Sequence, residues 1–166
     1  MHALIALAAV LLPLFAQAKD NPEFTYWADH KVGSWVKYKM EMDAQGVKVL
    51  VESHQILLEV GKEKVVVEQK TKLTAAGQEQ PESSTKEEIF KDKDKDPIKI
   101  EKEGEETIEV AGKKLSCHWI EGTQKETRKV KYWLCKDVPG GMVKGEAAGG
   151  DIAGTMKITA GSWERK

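Results

Sequence analysis

Residues 117–135 read CHWIEGTQKETRKVKYWLC. Folded back near Glu126, the stretch mirrors itself. Cys117 meets Cys135, Trp119 meets Trp133 and Glu121 meets Lys131 on one face of a two-stranded ribbon; Ile120 meets Tyr132 and His118 meets Leu134 on the other. A potential disulfide, an aromatic pair and an ion pair sharing one face predict a β-hairpin. Directly opposed residues on antiparallel strands have Cα atoms about 4.5–5.5 Å apart, within disulfide range. Closing such a loop contributes roughly 3 kcal/mol by chain entropy. Two cysteines allow one intramolecular pairing, and neither a Cys-x-x-Cys nor a set of metal ligands accompanies them. The expected role of Cys117 and Cys135 is therefore a structural disulfide in an oxidising compartment. No glycine occupies 125–127 to take left-handed backbone, so a longer loop or a bulge there would slip the register by one residue and separate every pair.

The N-terminus points to the same compartment. Residues 2–15 are almost wholly apolar and are followed by Ala16-Gln17-Ala18, the small-x-small pattern that precedes a signal-peptidase cut. The apolar run is shorter than the ~20 residues of a spanning helix. A signal peptide over residues 1–18 and one exported domain over 19–166 are expected, periplasmic or extracellular, with no membrane span after cleavage. The rival reading is a buried N-terminal helix or an anchor, favoured by an n-region without Lys or Arg. Lys19, not Cys, would follow the cut, which argues against lipid attachment.

The exported part reads as strands, with period-two alternation broken by glycine-containing turns. In 34–43, Val36, Tyr38, Met40 and Met42 point one way and Trp35, Lys37, Lys39 and Glu41 the other. Residues 47–60 follow after a turn at 43–46; their apolar phase changes between Val51 and Ile56, the mark of a bulge or of changed exposure. A third strand covers 63–73 and a loop 74–82. Further strands are expected at 83–90, 98–102, 105–110, 142–146 and 155–163, with 145–154 a mobile Gly/Ala-rich loop. The alternating Lys/Asp run 91–96 is a solvated connection. One helix is expected, from Pro22 to about His30, because Asn21 suits an N-cap and Pro22 the first helical position; Phe24, Trp27 and Ala28 would share a side. The fold class is mainly β, a single strongly curved antiparallel sheet with little helix; the alternative is a β-sandwich.

Chemistry is not written into this chain. Lys and Arg number 26 against 27 Asp and Glu, giving a net charge of −1 with no basic face, which argues against nucleic acid. His30, His54 and His118 lack partners at metal-ligand spacing, and hydrolase and phosphate-loop motifs are absent. No catalytic residue, metal site or cofactor is expected. The tryptophans, Trp27, Trp35, Trp119, Trp133 and Trp163, suit cross-strand packing, with sugar or lipid contact as the rival use.

Three phrases carry a resemblance: Lys31-Val32-Gly33-Ser34-Trp35-Val36-Lys37-Tyr38; Val110-Ala111-Gly112-Lys113-Lys114-Leu115-Ser116-Cys117; and Tyr132-Trp133 with Val138-Pro139-Gly140-Gly141-Met142-Val143-Lys144. Together the chain resembles a group of small exported bacterial proteins of unknown function, which resemble in fold the periplasmic lipoprotein carriers (the LolA-like superfamily). That resemblance implies a curved half-barrel whose concave apolar face holds acyl chains beneath helices. This chain offers little helix for a lid, and no binding residue carries over by motif. The expectation is a non-enzymatic exported protein binding lipid, another hydrophobic ligand or an envelope partner on a face that includes Val36, Tyr38, Met40 and Met42. The rivals are a structural or protein-interaction module with no small ligand, and a carbohydrate-binding module. The oligomeric state is not written in the sequence.

Overall fold

A single antiparallel sheet of ten strands, with one short helix, makes up the computed structural model, which describes residues 20–44, 46–150 and 152–166. The expected signal peptide lies outside the described residues. The helix α1 (Pro22–Ala28) starts as its cap predicts: the Asn21 side chain accepts from the Glu23 N–H at 3.0 Å, and Pro22 opens the first turn. The strands are β1 (Trp35–Ala44), β2 (Val47–Val60), β3 (Lys64–Ala75), β4 (Gln78–Glu79), β5 (Ser83–Phe90), β6 (Ile98–Val110), β7 (Lys113–Gln124), β8 (Arg128–Leu134), β9 (Met142–Gly149) and β10 (Ile152–Glu164). Their order is β4-β3-β2-β1-β10-β9-β8-β7-β6, with β5 also paired to β3. One curved open sheet, not a sandwich, is the architecture.

The 117–135 hairpin has the expected register pair by pair, from His118 opposite Leu134 to Gln124 opposite Arg128. Its turn solves the missing-glycine problem by strain: Lys125 (φ 46°) and Glu126 (φ 66°) take left-handed backbone without being glycine.

Three boundaries differ from expectation. Residues 98–110 form one continuous β6 with a bulge between Ile100 and Lys102, not two strands. β3 runs on to Ala75 and turns through Ala76 and Gly77 into the short β4, inside what read as loop. The Gly/Ala-rich stretch is largely strand, β9 to Gly149 and β10 from Ile152. Small residues are there for close packing rather than for mobility: a Cβ on Gly145 would press on the Tyr132 ring at 3.0 Å.

The connection from β5 to β6 shows how strongly the sheet curls. These strands lie at opposite edges, eight strand spacings apart, which is roughly 38 Å in a flat sheet. The eight residue steps from Phe90 to Ile98 reach at most roughly 29 Å. The edges must therefore approach each other, and residues 91–97 cross between them as a strap. Its side chains are almost all exposed, in keeping with a solvated connection. Its backbone is clasped at both ends by buried amides. Asn21 Nδ2 donates to Phe90 O (3.1 Å) and Lys93 O (2.9 Å), and Gln124 Nε2 donates to Asp96 O (2.8 Å).

Helix α1 closes one end of the curved sheet. Phe24 and Trp27 join Val36, Leu57, Val65, Val67 and Ile89 in the main core. Close seating of the helix against the 136–141 turn requires glycine twice. A Cβ on Gly140 (φ 75°) would meet the Trp27 ring at 2.8 Å, and one on Gly141 (φ 80°) would collide with the Tyr26 ring.

Candidate functional site

Cross-strand register sorts the side chains onto two faces. The outer face is charged, and one row alternates in sign from strand to strand: Lys102, Glu121, Lys131, Glu146, Lys157 and Glu41 stand opposite one another in turn from β6 to β1. Such exposed pairs stabilise weakly but keep the surface soluble and the register fixed.

The inner face is apolar. One row runs Leu73, Val51, Met40, Ile158, Gly145, Tyr132 from β3 to β8. The next runs Ala75, Val49, Met42, Met156, Ala147, Val130. Ile120, Val130, Ala147 and Ile158 are buried on this face, while α1 packs over β2, β3 and β5.

The four expected ligand-face residues divide between these environments. Val36 is fully buried beneath the helix and belongs to the core. Tyr38 is largely buried, its hydroxyl donating to Met142 O at 3.0 Å; burial, reinforced by Glu23, raises its phenol above the ordinary range. Met40 and Met42 are half-buried, towards the hairpin-tip end that α1 does not reach. The sequence had not singled out their neighbours Val49, Val51, Leu73 and Met156, also half-buried.

Also unforeseen is a polar island on this apolar face. Ser53 stands opposite Tyr38 on one side and Thr71 on the other, and Gln55 stands opposite Gln69. These four uncharged side chains separate the helix-covered core (Leu57, Val67) from the open apolar end (Val51, Leu73). Gln69 Nε2 donates to Thr71 Oγ1 at 3.3 Å, while the Ser53 hydroxyl, buried with 8% of the residue exposed, has no partner among the described residues. The phase change read in β2 had two causes. A bulge does lie between Leu57 and Glu59, and the island interrupts the apolar run before it. The signal was present as polar pairs flanked by Val or Leu at the same parity in both strands.

There are two shallow hollows, one of about 550 Å³ with a mixed lining that includes Lys39, Glu41, Lys157 and Leu50, the other of about 750 Å³, mainly charged, beside the strap at Lys95 and Asp96. The first is also lined by Met42 and Val49, so it borders the half-buried apolar end; the second lies at the strap.

Cys117 and Cys135, expected as a disulfide, are two buried free thiols in this structure. Cys117 Sγ donates to Leu115 O at 3.7 Å, and Cys135 Sγ accepts from the Asp137 N–H at 3.4 Å. Burial and the neighbouring Cys135 push the Cys117 thiol up to about 12. The chain leaves β8 after Leu134 to bond Cys135 N–H to Gly141 O (2.7 Å), so the cysteines sit just past the last ladder pair.

The tryptophans are all engaged by the protein. Trp27 is core. Trp133 donates to Glu106 (2.8 Å) beneath the Lys144 ammonium, and Trp119 packs on Gly104. Trp35 donates to Glu164 (3.0 Å) and meets His54 edge-on, while Trp163 lies under Lys113. The histidines are dispersed: His30 is buried, His54 sits by Trp35, and His118 is exposed between Glu103 and Glu105. Among the described residues no group of three His, Cys, Asp or Glu could hold a metal ion, and no helix is long and apolar enough to cross a membrane.

No protein-family model matches the chain, and no curated protein does. It is similar to solved structures of MucB. A chain from the complex of MucB with MucA(peri) aligns with TM-score 0.44 and 11% identity over 90% of this chain and 56% of that one. A chain from the Pseudomonas aeruginosa MucA/MucB complex aligns with TM-score 0.43 and 10% identity, over 90% and 57%. The chain spans little more than half the length of these solved chains.

Proposed function

We propose that this chain is an exported, non-enzymatic β protein that holds a hydrophobic ligand on the open half of its concave face. The observation that carries the reading is the division of that face. The helix end is sealed by Phe24 and Trp27, whereas among the described residues no helix covers Met40, Met42, Val49 and Met156 at the hairpin-tip end. Flexible, polarisable methionine side chains adapt to apolar chains of varied shape. The scatter of the histidines supports a binding role over a catalytic one. Export rests on the Ala16-Gln17-Ala18 pattern.

Fluorescence of N-phenyl-1-naphthylamine, an apolar probe, tests the reading. The purified protein should enhance it saturably, and Met42→Glu, which places a carboxylate on the open half, should weaken binding at least about tenfold. No enhancement by the wild type overturns the proposal and favours an interaction module without a small ligand.

A further inference from the structure

The geometry points to the Ser53–Gln55–Gln69–Thr71 island as a head-group site, and hence to an uncharged amphiphile, such as a monoacylglycerol, as the class of ligand; this rests on the apolar-face reading above. The island sits where the sealed core ends and the open apolar half begins. A chain lying along β2 from Ser53 to Val47 would cover roughly 20 Å of strand past Val51 and Val49. Its head would then stop at the island.

The chemistry of the island selects the head. All four side chains are neutral hydrogen-bonding groups, and Ser53 Oγ is buried without a partner among the described residues. A buried hydroxyl in that condition is costly and gains from any ligand that supplies its hydrogen bond. Tyr38 stands opposite Ser53 in the register, but its hydroxyl reaches across β10 to Met142 O of β9, away from β2, so the head is met by the island's own four side chains. In the register of β1, β2, β3 and β5, no Lys or Arg among the described residues shares this face; Glu87 of β5 does, and the strap's Lys95 Nζ, which reaches it at 2.7 Å, is paired with it. An anionic head there would have to compete with Glu87 for that ammonium, whereas ester and hydroxyl groups match the donors and acceptors present.

Displacement of N-phenyl-1-naphthylamine by monopalmitoylglycerol and by palmitate, at about pH 8 where the fatty-acid carboxyl is ionised, tests the assignment. The neutral lipid should displace the probe from the wild type at roughly tenfold lower concentration. In Ser53→Ala and Thr71→Val, both checked for folding by circular dichroism, that preference should shrink to about threefold or less. Palmitate displacing as well as or better than monopalmitoylglycerol, or both variants keeping the full preference, overturns the head-group site while leaving the apolar surface intact. A wild type that fails to bind the probe removes the underlying reading, and this one with it.

Discussion

Trp119 stands directly opposite Trp133 across β7 and β8, and the Lys131 ammonium lies over both rings, 4.6 Å from one centroid and 4.9 Å from the other. One lysine thus clamps the aromatic pair at the centre of the hairpin. Each such contact is worth about 0.5–1 kcal/mol at a partly exposed site. Lys131→Met keeps the stem and removes the charge; it should lower stability by about 1 kcal/mol in urea unfolding, and the loss should shrink in Trp119→Leu, where one of the two rings is gone.

The turn beside this pair stores strain that can be released. Glu126 occupies left-handed backbone at φ 66°, a conformation that costs a residue with a Cβ about 1–2 kcal/mol. Glu126→Gly should therefore stabilise the protein by up to about 1 kcal/mol after the added unfolded-state entropy, raising Tm by roughly 2–4 °C in calorimetry.

Asn21 performs two tasks that one substitution can separate. Its Oδ1 caps α1 and its Nδ2 clasps the strap through Phe90 O and Lys93 O. Asn21→Asp keeps an N-cap acceptor but loses both donations and sets a carboxylate against two carbonyls. It should cost about 1–3 kcal/mol, with amide exchange accelerated in 90–97 as the signature of a loosened strap.

Glu23 makes stability depend on pH. Burial, followed by the charges of Glu87, Asp94 and Asp96 against the opposing Lys95, lifts its carboxyl from 4.5 to about 7. A raised folded pKa means that the folded state holds the proton more tightly. The associated stability is complete below the unfolded value of about 4.3 and is lost as pH rises through 7. Glu23→Gln should stabilise the protein at about pH 8 and lose that advantage near pH 4. Part of the side chain reaches solvent, so the gain is smaller than a sealed carboxyl would give. Urea titrations across this range check the direction.

The thiol pair can be oxidised in an exporting cell before the hairpin is buried. Each thiol gives up its proton, the sulfurs bond, and the two electrons reduce the disulfide of an envelope thiol oxidant. Once folded and reduced, Cys117 is a poor nucleophile, because its thiol is buried and its pKa is pushed up to about 12. Protein recovered from the envelope should take no alkylating reagent even when denatured, by intact mass. Protein reduced and refolded should react only in denaturant. Two alkylated thiols in the denatured envelope sample exclude the disulfide.

Much of the sheet was legible because each strand carries its own period-two record. Val36, Tyr38, Met40 and Met42 alternate with Trp35, Lys37, Lys39 and Glu41, and Asn21-Pro22 marks the helix start on its own. Glycine misled where its reason was distant. Gly145 is small because of Tyr132, thirteen positions earlier, so 145–154 read as loop. The candidate site was half legible. Met40 and Met42 lie on the open surface, but Val36 could not be told from them, since all four share one parity and only the position of α1 separates sealed from open.

The sequence by itself determined most of the strands, their faces and the mirrored pairing within 117–135, because alternation, capping and mirrored pairs are local properties that a residue shares with its near neighbours. Tertiary structure alone decided how far the sheet curls, which half of the apolar face the helix covers, that 91–97 straps the two edges together, and that Ser53, Gln55, Gln69 and Thr71 meet. These depend on which strands pair at distance and on the limited reach of one short connection, quantities that a single strand's pattern does not contain.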